Sequence, residues 1–237
     1  MTTLRLERAS RSFGGLQAVY DVSFGVEPGE IVGLIGPNGA GKTTLINCVS
    51  GVFHFNSGKV WLGSQDVTRW RPHKICHAGI ARTFQIPRPF PRMTARENVL
   101  VAARCPEREA VEKLEMVGLG QKAEVVANSL TFHERRKLEV ARALAARPQF
   151  LLLDEVMAGL NPTETAEMVG LVAHIRRELE IAILWVEHVM GAVMEAADRM
   201  VVLYQGTKLV EGPPREVANN PQVIEVYLGE QYQFKGA

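Results

Sequence analysis

The sequence predicts an α/β fold with a parallel central sheet, an antiparallel β layer and a smaller helical subdomain. Three observations predict it. A glycine-rich loop at 36–44 joins an apolar run to a helix-compatible segment. Two later apolar runs, at 150–153 and 181–186, are followed by Asp154-Glu155 and by Glu187-His188. This pattern is typical of buried parallel strands whose carboxyl ends face a ligand. Proline-broken and helical patterns fill the segment 86–146.

Length and charge limit the class of protein. The 237 residues suffice for one large α/β domain or for a core with a smaller lobe. Lys and Arg, 27 in all, nearly balance the 26 Asp and Glu, which leaves a net charge of +1. No overall positive field therefore indicates a nucleic-acid partner, and we expect none.

Cysteine usage and hydropathy indicate the compartment. The three cysteines, Cys48, Cys76 and Cys105, are scattered, which suits a reducing compartment and excludes a disulfide framework or a clustered metal site. No apolar run approaches the roughly 18 to 20 residues that span a bilayer, and the N-terminus lacks the apolar region of a signal peptide. We therefore expect a soluble chain whose membrane role, if it has one, is peripheral.

The first predicted element is an antiparallel pair of strands. Residues 4–26 carry two runs of period-2 alternation on either side of a Gly-Gly turn. Phe13 stands directly before that turn, where it either anchors the loop on the core or offers a platform for a flat base. Residues 59–62 predict a further strand, and residues 72–78 predict a short helix.

Residues 86–146 predict the helical subdomain. Helical periodicity appears at 94–104 and again at 111–117, and Thr131 with Glu134 forms a capping-box pattern that opens a further helix. Three prolines at alternate positions forbid a regular helix or central strand before these segments and indicate a hinge-like loop, namely Pro87, Pro89 and Pro91. The rest of the chain forms the predicted core, residues 1–85 and 147–237.

The C-terminal half predicts strands that alternate with helices. After the strand at 150–153, Asn161 and Pro162 supply the N-cap and the first residue of a helix. The strand at 181–186 follows, and residues 200–210 predict a terminal hairpin. This order of elements is typical of a parallel sheet with helical crossovers.

The loop at 36–44 matches the phosphate-binding pattern G-x-x-x-x-G-K-[ST]. Glycines let successive backbone N–H groups converge, and the following helix adds the positive end of its dipole, so the loop forms a nest for a polyphosphate. In this pattern Lys42 reaches the β- and γ-phosphates and Thr43 ligates a magnesium ion. The alternative is an ordinary glycine-rich turn. The predicted nucleotide contacts are Gly36, Pro37, Asn38, Gly39, Ala40, Gly41, Lys42, Thr43 and Thr44.

Polar side chains at the strand ends complete the predicted magnesium-nucleotide site. Asp154 would hold the ion directly or through water, and Glu155 would polarise the attacking water. His188 ends the next strand, where it can contact a γ-phosphate, although a lone histidine is more often structural. The prediction depends on Lys42, Thr43 and Asp154 converging at the carboxyl edge of one sheet.

On these motifs the chain resembles the ATP-binding subunits of ABC transporters over essentially its whole length. The resemblance implies a P-loop NTPase (RecA-like) core with an antiparallel β layer and a smaller helical subdomain, and it implies ATP and Mg²⁺ as cofactors. Phe13 matches the aromatic that stacks on adenine. The implied catalytic residues are Glu155, His188 of the H-loop and Gln85 of the Q-loop; the implied metal ligands are Thr43, Gln85 and Asp154; the implied D-loop is Ala158, Gly159, Leu160 and Asn161.

Within that family, four segments resemble the import ATPases for branched-chain amino acids: FGGLQAV, ARTFQ, AGLNPTE and EGPPREVANNPQVIEVYLGE. This resemblance implies an importer subunit for branched-chain or related amino acids, peripheral on the cytoplasmic face of the cell membrane. The implied partners are a second ABC ATPase subunit, membrane permease subunits and, through the complex, an extracytoplasmic substrate-binding protein.

The family's signature motif, LSGGQ, is degenerate in this chain. It aligns with residues 130–134, and both glycines are absent. In the family this segment contacts the γ-phosphate on the opposite subunit, so the implied trans contacts are Thr131, Phe132, His133 and Glu134. Thr131 keeps a hydroxyl, whereas we expect His133 to bring a ring to a place where the phosphate approaches bare backbone. That ring either donates a hydrogen bond or removes a preorganised donor, which costs about 10²- to 10³-fold in rate.

Three other functions stay open. A chain with this signature could serve as a regulatory subunit that binds ATP with weak hydrolysis, although Glu155 and His188 are intact. A non-transport ABC protein acting on DNA or ribosomes usually carries tandem cassettes or long coiled coils, and the sequence shows neither pattern. A small-molecule kinase fits the strand-end acids less well than a dimerising ATPase does.

Overall fold

Two β-sheets and the helices that cover them form the structure, a computed structural model that describes residues 2–103 and 106–233. Cys48 and Cys76 are free thiols, and Cys105 lies outside the described residues. Within the described segments, no helix is both long enough and apolar enough to cross a bilayer.

The larger sheet has six strands and is parallel except at one edge. Its strands are β3 (Ile31–Ile35), β6 (Ile80–Arg82), β7 (Phe150–Asp154), β8 (Ala182–Val186), β9 (Arg199–Tyr204) and β10 (Thr207–Gly212). They lie in the order β10-β9-β3-β8-β7-β6, and only β10 pairs antiparallel, with β9. Every residue of β3, β7 and β8 is buried, which confirms the predicted buried parallel strands.

The smaller sheet is the predicted antiparallel layer. Its strands are β1 (Leu4–Phe13), β2 (Leu16–Val26), β4 (Ser57–Leu62) and β5 (Gln65–Asp66), in the order β2-β1-β4-β5. Leu6 and Val22 of this layer share a buried cluster with Leu34 of β3 and Leu152 of β7. The two sheets therefore enclose one apolar core between them.

Helices cover both faces of the parallel sheet. They are α1 (Lys42–Val49), α2 (Pro72–His77), α3 (Ala95–Ala103), α4 (Glu107–Met116), α5 (Phe132–Leu144), α6 (Pro162–Leu179), α7 (Met190–Met194), α8 (Pro214–Ala218) and α9 (Pro221–Gln233). Leu45 of α1 packs in the cluster between the sheets, whereas Leu138 of α5 and Val172 of α6 pack in a second cluster with Leu151 and Leu153. Successive residues of β7 thus point into different cores, because side chains alternate along a strand.

Residues 86–103 and 106–146 contain α3, α4 and α5, and no strand of either sheet lies among them. Segment 83–93 carries the alternating prolines and has neither helix nor strand, as the sequence predicts. Val99, Leu114 and Leu138 of the three helices belong to the cluster that contains Leu151. The helices thus pack on the sheet face away from β1 and β2, and the division into a core and a helical subdomain remains our proposal.

Two capping boxes begin α5 and α6. At α5, the Thr131 hydroxyl accepts from the Glu134 backbone N–H, and the Glu134 carboxylate accepts from the Thr131 N–H. Asn161 and Glu164 form the same pair of bonds at α6, where Pro162 is the first helical residue. The predicted starts of both helices are therefore confirmed.

Candidate active site

The loop between β3 and α1 requires glycine at two positions. Gly36 and Gly41 have φ of 152° and 102°, in the region that favours glycine. A Cβ at Gly36 would lie 2.2 Å from the Leu203 carbonyl oxygen, and one at Gly41 would lie 2.3 Å from the Ala18 carbonyl oxygen. Each glycine therefore lets the loop pass directly against neighbouring backbone, which fixes the shape of the nest.

Gly41→Ala is expected to weaken both the fold and nucleotide binding. A non-glycine residue at this φ costs about 1–3 kcal/mol, and the added methyl group must also displace the Ala18 carbonyl. Gly39→Ala is the matched control, because Gly39 has φ of 79° but no atom within 4 Å of its Cβ position. Chemical denaturation and ATP titration should show the larger losses for Gly41→Ala; equal losses would contradict the contact with Ala18.

Lys42 is the first residue of α1 and is buried, with 4% of its surface exposed. Its ammonium donates to the carbonyl oxygens of Gly36, at 2.6 Å, and Pro37, at 3.0 Å. The side chain thus folds over its own loop and holds a positive charge at the centre of the nest. The other predicted loop contacts comprise buried Pro37 and Ala40, exposed Asn38, Gly39 and Thr43, and half-buried Thr44.

Asp154 ends β7 with a buried carboxylate. Its Oδ2 accepts from Arg82 Nη2 at 2.7 Å, while Oδ1 is buried and accepts no hydrogen bond from the described residues. Burial raises the pKa of Asp154, and Arg82 and Lys42 oppose that rise because their positive charges favour the carboxylate. Lys42 and Asp154 lie at the same carboxyl edge of the sheet, because the Lys42 ammonium bonds the residues that follow β3 and Asp154 ends the parallel strand β7.

Glu155 follows Asp154 and lies against the Q-loop. Gln85 Nε2 donates to Glu155 Oε2 at 2.7 Å, and the Glu155 backbone N–H donates to the Val186 carbonyl oxygen. Glu155 has φ of 48°, which is uncommon for a residue with a side chain and is frequent at functional sites. The structure thus brings Gln85, Asp154 and Glu155 together.

His188 lies at the rim of this edge, just beyond β8. Its side chain is 46% exposed, and its Nδ1 is 3.9 Å from Oε2 of the fully buried Glu187. Glu187 Oε1 accepts from the Met157 backbone N–H at 2.9 Å. Burial raises the pKa of Glu187 to about 7, and the nearby Glu155 acts in the same direction. Glu187 therefore links the end of β8 to the turn after β7.

The degenerate signature differs from the sequence expectation at His133. The His133 ring does not project from the start of α5: it is buried, with Nε2 3.8 Å from Glu167 and Nδ1 4.0 Å from Glu164. Burial lowers the pKa of His133, and the charge of Lys137 acts in the same direction, while Glu164 and Glu167 oppose it. The ring therefore faces the two acids of α6, Glu164 and Glu167.

Phe132 is the exposed aromatic of this segment. Its side chain is 41% exposed, and its ring would lie 3.2 Å from a Cβ placed on Gly159. The signature segment therefore lies against the predicted D-loop, where Ala158 and Leu160 flank Gly159 and Asn161 caps α6.

Phe13 lies on the surface of the antiparallel layer. Its ring is 38% exposed and packs edge to face on Phe53, with a centroid distance of 5.4 Å. The Arg11 guanidinium lies 4.5 Å above it. An exposed ring with a neighbouring cation is compatible with stacking on a flat base, and that role stays a prediction.

Sequence reasoning missed two arginines of the site. Arg82, at the end of β6, donates to Asn47 Oδ1 at 2.6 Å and Ser50 Oγ at 2.9 Å as well as to Asp154. Arg136, in α5, donates to backbone carbonyls of both the Q-loop and the D-loop. A charged residue in the three-residue β6 and one in an amphipathic helix give no periodic signal, so both resemble surface residues in the sequence.

Comparison with known proteins agrees with this geometry. The family model for ABC transporters matches residues 19–158, and the model for branched-chain amino acid ATP-binding cassette transporters matches residues 207–233. The chain is 41% identical to the high-affinity branched-chain amino acid transport ATP-binding protein BraF of Pseudomonas aeruginosa, over 96% of this chain and 98% of that protein. It is also 41% identical to LivG of Escherichia coli, which bears the same description, over 92% of this chain and 94% of LivG.

Solved structures give the same result. The crystal structure of an ATP-binding cassette of an ABC transporter in its ADP conformation superposes with a TM-score of 0.90 and 30% identity, over 97% of this chain and 99% of that one. A nucleotide-free cassette superposes with a TM-score of 0.89 and 29% identity, over 96% and 99%. The chain therefore belongs to the ABC transporter family, as an ATP-hydrolysing transport ATPase with the cassette fold.

Proposed function

We propose that this chain is the ATPase subunit of an importer for branched-chain or related amino acids. The observation that carries the ATPase part is the position of Lys42, Asp154 and Glu155 at the carboxyl edge of one parallel sheet, with Gln85 bonded to Glu155. The substrate class is supported by the names of the relatives and by the C-terminal family model at 207–233. The chain then acts at the cytoplasmic face of the membrane, where it drives permease subunits loaded by an extracytoplasmic substrate-binding protein.

A magnesium ion fits the carboxyl edge of the sheet. The buried Oδ1 of Asp154 has no hydrogen bond from the described residues, so it retains a lone pair for a cation. The exposed Thr43 hydroxyl and the Gln85 amide oxygen add the oxygen ligands that Mg²⁺ prefers. When bound, the ion would neutralise charge on the β- and γ-phosphates. We therefore propose Thr43, Gln85 and Asp154 as its protein ligands.

The remaining residues have separable roles in this proposal. The nest at 36–44 binds the phosphates, and Phe13 stacks on the adenine. Glu155 accepts a proton from the attacking water, and Gln85 holds that carboxylate by the observed hydrogen bond. His188 stands at the rim, where its exposed imidazole can contact the terminal phosphate.

The second half of each ATP site comes from a partner ATPase subunit. We propose that this chain offers the partner's nucleotide the start of α5, together with the D-loop at 158–161. The Thr131 and Glu134 backbone N–H groups already have partners in the capping box, and the His133 ring is turned inward. The exposed contacts that remain are Thr131 and Phe132. This half-site is therefore weaker than one made by an intact LSGGQ segment.

That weak half-site favours a second candidate function, a regulatory subunit with slow hydrolysis. The double variant His133→Gly and Glu134→Gln separates the two. If the His133 ring and the Glu134 charge limit turnover, this variant should raise the ATPase rate of the assembled complex by about 10²- to 10³-fold. An unchanged rate means that the segment is competent as it stands and supports the ordinary importer subunit.

Transport by the assembled complex tests the substrate class. Proteoliposomes that contain this chain, its permease and its binding protein should take up leucine, isoleucine and valine when ATP is present. Lys42→Ala should weaken ATP binding by about 10- to 150-fold, because the ammonium loses its charged hydrogen bonds to phosphate, and should stop uptake. Lys59→Ala, on the exposed face of β4, is the matched control and should transport normally. ATP hydrolysis without uptake of these amino acids would refute the proposed substrate class.

A further inference from the structure

We propose that Arg136 is a positioning residue that joins the Q-loop to the D-loop, so that displacement of either loop moves the other. The Q-loop segment is defined here as residues 84–88 and the D-loop as residues 158–161. The Q-loop segment contacts Glu155 through Gln85. The D-loop lies against the start of α5, which we propose faces the partner. The proposal rests on the proposed function only in naming a permease as the partner that moves the Q-loop segment.

The Arg136 guanidinium lies between the two loops. Its Nη1 donates to the backbone carbonyl oxygens of Phe84, at 3.4 Å, and Gln85, while Nη2 donates to the Ala158 carbonyl oxygen at 3.1 Å. The group also stacks on Phe132, with 5.0 Å from its carbon to the ring centroid. Only 3% of the residue is exposed, so these are contacts inside the protein rather than at a solvated surface.

Two more charged residues of α5 bind the Q-loop segment. Glu139 Oε2 accepts from the Arg88 backbone N–H at 3.1 Å, and Arg142 Nη1 donates to the Arg88 carbonyl oxygen at 3.1 Å. Arg136, Glu139 and Arg142 are spaced by three residues and therefore lie along one side of the helix. The main chain of a proline-rich segment, which has no sheet or helix of its own, is thus held by side chains of α5.

The two loops that Arg136 bonds lie on either side of Glu155, the candidate general base. On one side, Arg136 donates to the Gln85 carbonyl oxygen, and the side-chain amide of Gln85 donates to the Glu155 carboxylate. On the other side, the Ala158 N–H donates to the Glu155 carbonyl oxygen. A closed set of contacts therefore runs from Arg136 through both loops to Glu155.

Exposed apolar side chains belong to the Q-loop segment and the residues just after it. Phe84, Ile86 and Phe90 are 49%, 66% and 44% exposed. A partner that covers these side chains would push on the main chain that Arg136 holds, and the displacement would reach Ala158. Such coupling through a packed, bonded group is a physical route between two surfaces.

Arginine is required for this role because its planar guanidinium carries several donors at fixed angles. A lysine keeps the charge at this position, but it lacks the two separate nitrogens with which Arg136 bonds a carbonyl of each loop. Arg136→Lys is therefore the informative variant, since it preserves the buried charge that Arg136→Ala would remove. Arg135→Lys, the same change one residue earlier on a half-buried side chain, is the matched control.

Hydrogen exchange of the purified chain is the first measurement. Arg136→Lys should speed amide exchange by about 2- to 30-fold in both loops together, while Arg135→Lys leaves both unchanged. Faster exchange in only one loop, or equal effects of the two variants, would overturn the proposal.

Stimulated ATPase activity of the complex is the second measurement. Loaded binding protein should stimulate the wild-type and Arg135→Lys complexes equally, and the ratio of stimulated to basal rate should fall by about 2- to 30-fold in Arg136→Lys. Full stimulation of Arg136→Lys would overturn the proposal. If branched-chain amino acids do not stimulate even the wild type, the proposed substrate fails, and the exchange measurement still decides the role of Arg136.

Discussion

Glu155→Gln is expected to lower kcat for ATP hydrolysis by about 10²- to 10⁴-fold, which is the contribution of a positioned general base. The glutamine keeps the shape of the side chain and can still bond Gln85, but it cannot accept the proton of the attacking water. ATP affinity should be retained, because the nest at 36–44 and Lys42 are unchanged. The measurements are single-turnover hydrolysis and equilibrium binding of ATP by the assembled complex.

Glu178→Gln is the control for this prediction. Glu178 lies on α6 with a side chain that is 48% exposed, so the same loss of charge there should leave kcat unchanged. If Glu155→Gln lost ATP affinity as strongly as it lost kcat, Glu155 would act by holding the nucleotide site together and not by accepting a proton from the water.

Arg82→Met is expected to lower the free energy of unfolding by about 3–5 kcal/mol at neutral pH, as removal of one partner of a buried ion pair does. The side chains of Arg82 and Asp154 are only 8% and 1% exposed, and the methionine would leave the Asp154 carboxylate without its counter-charge. Denaturant titration measures the loss. Arg177→Met, at a side chain that is 72% exposed, should change stability by less than about 0.5 kcal/mol.

The loss should depend on pH with a definite sign. Burial raises the pKa of Asp154 in the folded protein, and removal of Arg82 raises that pKa further. A raised folded-state pKa favours the fold while the acid is protonated, so the stability of Arg82→Met should decrease as the pH rises above about 4, the pKa of an unperturbed aspartic acid. Adding Asp154→Asn should restore stability, since it removes the stranded charge. A deficit that is constant with pH and persists in the double variant would contradict the ion-pair explanation.

The sequence alone predicts most of the fold because the fold depends on local patterns. Apolar runs mark β7 and β8, period-2 alternation marks β1 and β2, and capping boxes mark the starts of α5 and α6. Strand β6 has only three residues, Ile80–Arg82, which is too short for any periodicity to show. Its place beside β7 is decided by long-range pairing, which local patterns do not report.

The candidate site is predictable where function requires a fixed spacing. The loop from Gly36 to Thr43 has such a spacing, and Asp154 and Glu155 close an apolar run, so both could be proposed before the structure. Arg82 and Arg136 act through the direction in which long side chains point, and many directions are compatible with one sequence. The same limit explains His133: its position in the signature was clear, but its inward orientation depends on Glu164 and Glu167 of a helix that begins 29 residues later, at Pro162.

The contact between Arg82 and Asp154 affects how tightly a cation can bind. Arg82 is itself held by Asn47 of α1 and by Ser50, which follows α1, so the carboxylate oxygen that Arg82 bonds is fixed when the chain folds. A ligand that reaches the other oxygen does not have to freeze a rotating side chain, because that entropy was lost when the chain folded. The proposed metal-binding half of the site is thus preorganised by the protein's own counter-ion.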